Sequence, residues 1–282
     1  QRGIKLEWFG TSHAAVGPMI NEAFTNGSVD FASYGDLPSA IGQNAEDMIP
    51  KERDRQRFYA LDRHLLPRIL HEAFHVASNG RPGPVVIDIP KDVTQKKTEF
   101  SYPSSVNMRS YTPITKGHPG QIKKAVQLIA EAKRPLIYVG GGAVLSDASQ
   151  QVTELVRTLD FPCTNTLMGL GAYPGDDPKF IGMLGMHGTY EANLAMQYCD
   201  VLIAIGARFD DRVVSQPAHF LSSPKKIIHI DIDPSSIAKR VKVDVPIVGN
   251  CRDVLDEMLA LLRSTPERAD PEAVKTWWKQ ID

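Results

Sequence analysis

From about residue 120 onward the chain switches between two periods of apolar and polar positions. IKKAVQLIAEAKR (122–134) places its apolar residues at helical spacing, and PLIYVGGG (135–142) is a short apolar run that ends in glycines. SDASQQVTELVRTLD (146–160) is helical again, with Ser146 or Asp147 as N-cap, and FPCTNTL (161–167) reads as extended. GTYEANLAMQYC (188–199) predicts a helix, while DVLIAIGARFDD (200–211) and PKKIIHIDID (224–233) each predict a strand followed by a loop. VPIVGN (245–250) is a short strand and CRDVLDEMLALLRS (251–264) an amphipathic helix. Strands written as continuous Val/Ile/Leu runs and separated by helices indicate a parallel sheet covered on both faces. Residues 116–264 are therefore expected to form one α/β domain, a Rossmann-like doubly wound parallel sheet of about six strands.

The flanking stretches differ. PRILHEAFHVAS (67–78) reads as a helix that leads into the apolar strand of NGRPGPVVIDIPKDV (79–93), the end of a preceding α/β domain. Residues 94–115 are polar and Pro-containing, as in a linker, and 265–282 read as a linker followed by a short helix. Trp277 and Trp278 on that helix leave two readings open: contact with another body, or packing on their own domain. Residues 1–46 read strand, helix, strand and the start of another helix. Residues 47–66 mix acids and bases as a solvated helix or a junction would, and the first 66 residues are expected to pack poorly or to borrow a sheet edge.

Composition changes this picture little. The 282 residues have a formal net charge of −1 and are 42% hydrophobic, which suits a globular chain and gives no electrostatic footprint for nucleic acid or an anionic membrane. No apolar run approaches the roughly 20 residues of a membrane span and no signal peptide opens the chain, so a cytoplasmic protein is expected. The chain starts at Gln1, as a processed or trimmed chain would. Cys163, Cys199 and Cys251 are far apart and form no CxxC pair, so reduced, buried thiols are expected. The eight His show no metal-ligand spacing.

The candidate chemistry lies where strands end, which is where open parallel sheets bind ligands. Gly140, Gly141 and Gly142 lack Cβ atoms where a backbone could approach a phosphate or a flat ring, although a tight strand-to-helix turn uses the same residues. Gly185 and Gly188 flank Met186 and His187 directly before a helix whose amides can receive an anion, and His187 alone could equally cap or pack. Asp231 and Asp233, on either side of Ile232, suit ribose hydroxyls, with helix capping as the alternative. After Gly206, Arg208 and Arg212 carry planar cationic forks suited to phosphate, which Asp210 and Asp211 can orient. No GxGxxG or GxxxxGK[ST] spacing occurs. Together these loops favour a nucleotide-like ligand.

GRPGPVVIDIPKDV, TLMGLGAYP, GMLGMHGTYEAN, IGARFDDR and KIIHIDIDPSSI resemble the acetolactate synthase (acetohydroxyacid synthase) catalytic subunit, a thiamine-diphosphate enzyme, without a break from Pro67 to Asp282. The resemblance implies a central domain that holds FAD as a structural cofactor. It implies thiamine diphosphate and Mg²⁺ in the complete enzyme, 2-oxo acid substrates, a homo-oligomer and a regulatory small subunit. It assigns FAD contacts to Arg81, Gly140 to Gly142, Thr166, Leu167 and Met168, Gly185 to Gly188, Gly206, Arg208, Asp210, Asp231 to Asp233 and Asn250. It places Lys91, Asp211 and Arg212 at the substrate entrance. Asn250 is a departure, because many relatives have Asp after that glycine. No GDG occurs here and no residue matches the activating glutamate, so the chain by itself is expected to be inactive, with no catalytic residue and no metal ligand. The first 46 residues are instead similar to periplasmic binding proteins for aliphatic sulfonates and nitrate, as in a chimera. The alternative reading is thus a non-catalytic solute-binding or recombined module.

Overall fold

A computed structural model describes residues 57–60, 62–99, 101–108 and 111–281 of the protein. The expectations for residues 1–46 lie outside the described residues. The chain divides into two units, at residues 112 and 113.

In the first unit, β1 (Arg57–Tyr59) pairs in parallel with β2 (Val86–Asp88), with Phe58 opposite Ile87. Helix α1 (Leu66–Ser78) turns Ile69, Ala73 and Val76 inward, where they meet Ala60, Val85 and Ile87. The spacing of four and three residues is what places them on one helical face. The short α2 (Lys91–Gln95) follows, starting after Pro90. Residues 47–56 and 61 lie outside the described residues; within the rest of 47–66, Arg57–Tyr59 form a strand rather than a solvated helix. Phe58 packs partly buried against this small core, and that packing together with pairing outweighs the surrounding charges.

The second unit starts with α3 (Pro119–Ala130), β3 (Pro135–Val139), the short α4 (Gly141–Leu145) and α5 (Ser149–Leu159). It continues through β4 (Cys163–Asn165), a 3₁₀ turn at Leu167–Gly169, β5 (Phe180–Met183), α6 (Tyr190–Tyr198) and β6 (Val201–Ile205). Then come α7 (Pro217–Phe220), β7 (Lys226–Asp231), β8 (Val245–Val248), α8 (Cys251–Ser264) and α9 (Pro271–Ile281). The six strands form one sheet in the order β5-β4-β3-β6-β7-β8, and every pairing is parallel. This is the expected doubly wound α/β sheet.

Strand alternation feeds two cores. Ile137, Val139, Ile203, Ile205, Ile228 and Ile230 face α3, α5 and α8, whereas Leu136, Tyr138, Leu202, Ala204 and Ile227 face α6 and α7. All five residues of β3 and of β6 are buried, as central parallel strands require. Helix α9 contributes Val274 to the first core and Trp277 to the second. The Trp277 indole donates to the Pro135 carbonyl and the Trp278 indole to that of Asp160, both at 2.9 Å. The tryptophan pair therefore packs on its own unit.

Two local expectations are corrected. Neither Ser146 nor Asp147 caps α5: Ser146 ends the one-turn α4, which the glycine loop starts immediately after β3, and the N-cap of α5 is Ala148. Strand β5 was not anticipated. It is an edge strand of half-buried residues, interrupted by Gly182 at φ +94, so neither hydrophobic period marks it.

The chain leaves β3 outward through β4 and β5, then returns to place β6 against the other side of β3. The order of the strands reverses between β3 and β6, and there the backbones nearly touch. A Cβ on Gly206, at φ +59, would lie 2.6 Å from the Gly142 Cα. Gly206→Ala is expected to lower the unfolding free energy by about 2–3 kcal/mol through strain and overpacking. Gly175→Ala, whose Cβ meets nothing within 4 Å, should change it by less than about 0.5 kcal/mol or slightly stabilise. Urea unfolding followed by far-UV circular dichroism compares the two.

Candidate functional site

The reversal between β3 and β6 opens the carboxyl edge of the sheet, the position where doubly wound folds bind ligands. Its floor is stitched by backbone. The Gly140 amide donates to the Ile205 carbonyl at 2.9 Å, that of Gly142 to Gly206 at 3.0 Å, and that of Gly206 to Ile230 at 2.8 Å. A Cβ on Gly140 would stand 2.2 Å from the Gly206 oxygen. The smallness of Gly140, Gly142 and Gly206 is thus used by loop against loop, the tight-turn reading. Gly141 differs: its Cβ would meet the Met168 side chain at 3.0 Å.

Met168 belongs to the 3₁₀ turn after β4. The Thr166 hydroxyl caps that turn by accepting from the Gly169 amide at 3.0 Å, and the buried Asn165 amide donates to the Gly169 carbonyl at 2.9 Å. The turn so fixed leaves Leu167 and Met168 69% and 75% exposed. Large apolar side chains held outward on a capped turn make a ready surface for a flat ring.

The loop after β5 is tied to the charged loop after β6. The Met186 amide donates to the Arg212 carbonyl at 3.2 Å, and a Cβ on Gly185 would approach that same oxygen to 2.9 Å. Asn193 of α6 closes the loop from the other side, accepting from the Gly185 amide and donating to its carbonyl, both at 3.0 Å. A Cβ on Gly188 would lie 2.3 Å from the Met183 oxygen. Thr189, not His187, caps α6, and Met186 and His187 stand exposed at the tip.

In the charged loop Arg208, Asp211 and Arg212 are exposed and Asp210 is half-buried. Asp210 organises the turn: its carboxylate accepts from the Arg212 amide at 3.1 Å, and its carbonyl accepts from the amides of Val213 and Val214. Between the charges, Phe209 is 1% exposed and adopts φ +56, a conformation rare for a bulky residue. Phe209 is the one buried apolar residue among these charges, a signal that the charge pattern of the motif masks in the sequence.

The acids at the end of β7 hold a turn, with no helix there to cap. Asp231 accepts from the Asp233 amide at 2.9 Å. Asp233 accepts from the amide and hydroxyl of Ser235 and from the hydroxyl of Ser236. Both acids are buried, and Ile232 between them is half-buried. Asn250 caps α8 by accepting from the Arg252 amide at 3.0 Å. Arg81 and Lys91 belong to the first unit, Arg81 half-buried in the turn before β2 and Lys91 exposed on α2.

The three thiols are buried. Burial pushes Cys199 and Cys251 up to about 12 and raises Cys163 as well, so all three remain protonated. Burial also raises the Tyr138 phenol, helped by the nearby Asp210 carboxylate. Among the described residues no group of three His, Cys, Asp or Glu is placed to hold a metal ion. Nor is any helix among them long and apolar enough to cross a membrane.

Residues 122–258, which span this parallel sheet and its loops, match the family model described as thiamine pyrophosphate enzyme, central domain. Within that class the chain is similar to acetolactate synthase large subunits. It is 48% identical to isozyme 3 of Escherichia coli over 219 residues, 77% of this chain and 38% of that relative. The probable large subunit of Methanocaldococcus jannaschii is 48% identical over 77% of this chain and 36% of its own length. The Mycobacterium leprae enzyme is 45% identical over 77% of this chain and 34% of its own length. The chain thus spans little more than a third of the length of these relatives.

His229, opposite Ala204 in the sheet, is fully buried, and burial lowers its pKa to about 4 against the opposing effect of the Ala207 backbone. A histidine depressed in the fold contributes stability that is complete above its usual value near 6.5 and is lost as pH falls through the window down to 4. Over that window wild type should lose about 3 kcal/mol more than His229→Leu. Urea unfolding of both at a series of pH values reads the difference.

Proposed function

We propose that the chain contributes the FAD-holding central domain of an acetolactate synthase, the enzyme that condenses two pyruvates, or pyruvate with 2-oxobutyrate, for branched-chain amino acid synthesis. The observation that carries this reading is the knotting of three loops at one sheet edge, from which Leu167, Met168, Met186, Arg208 and Arg212 project outward. Exposed apolar side chains and the Arg208 guanidinium, presented at one sheet edge, fit a flavin, whose ring is flat and whose diphosphate is anionic. Gly141 lets the Met168 turn approach the glycine loop, and Met186 and His187 stand exposed at the tip of the loop after β5.

Asp231, Asp233 and Asn250 fit less directly. Their side chains already serve turns and a cap, so a ribose hydroxyl would share acceptors with backbone amides. Within the second unit, Asp211 and Arg212 are assigned to the substrate entrance; the assignments of Arg81 and Lys91, residues of the first unit, rest on the sequence resemblance alone. In acetolactate formation the flavin supplies no net redox chemistry. The proposed complete enzyme would take thiamine diphosphate, Mg²⁺ and 2-oxo acids, act as a homo-oligomer with a regulatory small subunit, and reside in the cytoplasm. No residue of this chain is assigned as general base or metal ligand.

Flavin fluorescence titration tests the cofactor assignment. Loss of one charge-assisted contact costs roughly 1.5–3 kcal/mol. Arg208→Ala should therefore weaken FAD binding by about tenfold or more, while Lys91→Ala should leave it nearly unchanged. Equal binding by Arg208→Ala and the parent chain would return the charged loop to an ordinary solvated turn.

A further inference from the structure

We propose that Phe209 is the positioning residue of the charged loop: its inward ring, held in an aromatic box at the sheet edge, sets where Arg208 stands for a flavin and where Asp211 and Arg212 stand beyond it. The proposal rests on the flavin reading of this edge. Phe209 packs edge-on against Tyr138 of β3, with centroids 5.4 Å apart at 63°, and against His229 of β7 at 5.2 Å and 84°. Phe220 of α7 closes the box at 6.1 Å and 59°. The box thus draws one wall from each of three separate elements, two of them on either side of β6, the strand that launches the loop.

The left-handed backbone at Phe209 reverses the chain at one residue. It turns the ring into the core while Arg208 on one side and Asp211 and Arg212 beyond Asp210 remain exposed. A phenylalanine adopts that conformation only where its surroundings over-determine it. Here the ring supplies the determination, because edge-to-face contacts at these separations fix orientation as well as burial. Beyond the ring, the backbone tie from Met186 to Arg212 passes the same position to the loop after β5.

The test exploits the two arginines as trypsin sites. In the full chain, cleavage after Arg208 and Arg212 should be slow. Phe209→Gly accepts the left-handed backbone freely but removes the ring, and should raise that cleavage at least tenfold and weaken FAD binding at least tenfold. Phe209→Met fills the box with a flexible apolar group but loses the ring's fixed edges, and should fall between wild type and Phe209→Gly, with about a threefold to fivefold change in both readouts. Arg208→Ala should weaken FAD while leaving cleavage after Arg212 slow. Phe220→Leu removes one wall from outside the loop, and its cleavage should rise about threefold even if Phe209→Gly does not fold.

Unchanged cleavage in both Phe209→Gly and Phe220→Leu would overturn the proposal whatever the flavin does. So would a Phe209→Gly chain that opens yet binds FAD as wild type does, if Arg208→Ala still weakens binding. Opening of the loop with no effect of either variant on FAD would instead remove the flavin reading and leave the anchor in place.

Discussion

The close approach of two backbones at the ends of β3 and β6 is the constraint on which the rest of the second unit depends. Each of these strands is followed by a loop that must pass within contact distance of the other, and only residues without a Cβ permit it. Gly140, Gly142 and Gly206 meet that demand, and the hydrogen bonds between their loops replace the ladder where the strands stop. A parallel sheet whose order reverses at this point would otherwise open a gap between diverging loops, with buried amides and carbonyls left unpaired. The glycine cluster closes the floor of the edge before any ligand is considered. That division of labour separates Gly140, Gly142 and Gly206, which serve the protein, from Gly141, which faces the Met168 turn.

The chemistry at the edge is built on this floor by small polar devices. Thr166 caps a single turn, Asn193 clasps Gly185 from both sides, and Asp210 folds the charged loop back on itself. Each spends a side chain on holding backbone, so that neighbouring side chains stay free to face outward. The same economy explains the acids after β7: an Asp at the end of a buried strand first satisfies the turn that ends it. Sites of this kind mix residues that touch a ligand with residues that hold those that do, and the two sorts share a sequence motif.

Much of this was legible in the sequence, and the misses have physical causes. VLIAI and KIIHI could be read as central parallel strands because burial on both faces removes alternation. FIGM escaped because an edge strand is half-exposed and a glycine breaks its run. Ser146 and Asp147 looked like caps since the one-turn helix ahead of them has no period of its own. The position of the loops at strand ends was readable from order alone. The employment of Asp233 by Ser235 and Ser236 was not, because a turn-holding aspartate and a ligand-binding one look alike in sequence. Phe209 was hidden for a related reason: nothing in a string of letters marks a phenylalanine that will adopt a left-handed backbone.

The three buried thiols carry a consequence for how the second unit opens. Cys163 starts β4 near one margin of the sheet, Cys199 ends α6 on one face, and Cys251 begins α8 on the other. None can react while its layer stays closed, since reagent access and thiolate formation both require exposure. Alkylation under native conditions would therefore give one rate for each thiol. Their ratios would tell whether the layers breathe independently or the unit opens as a single cooperative block.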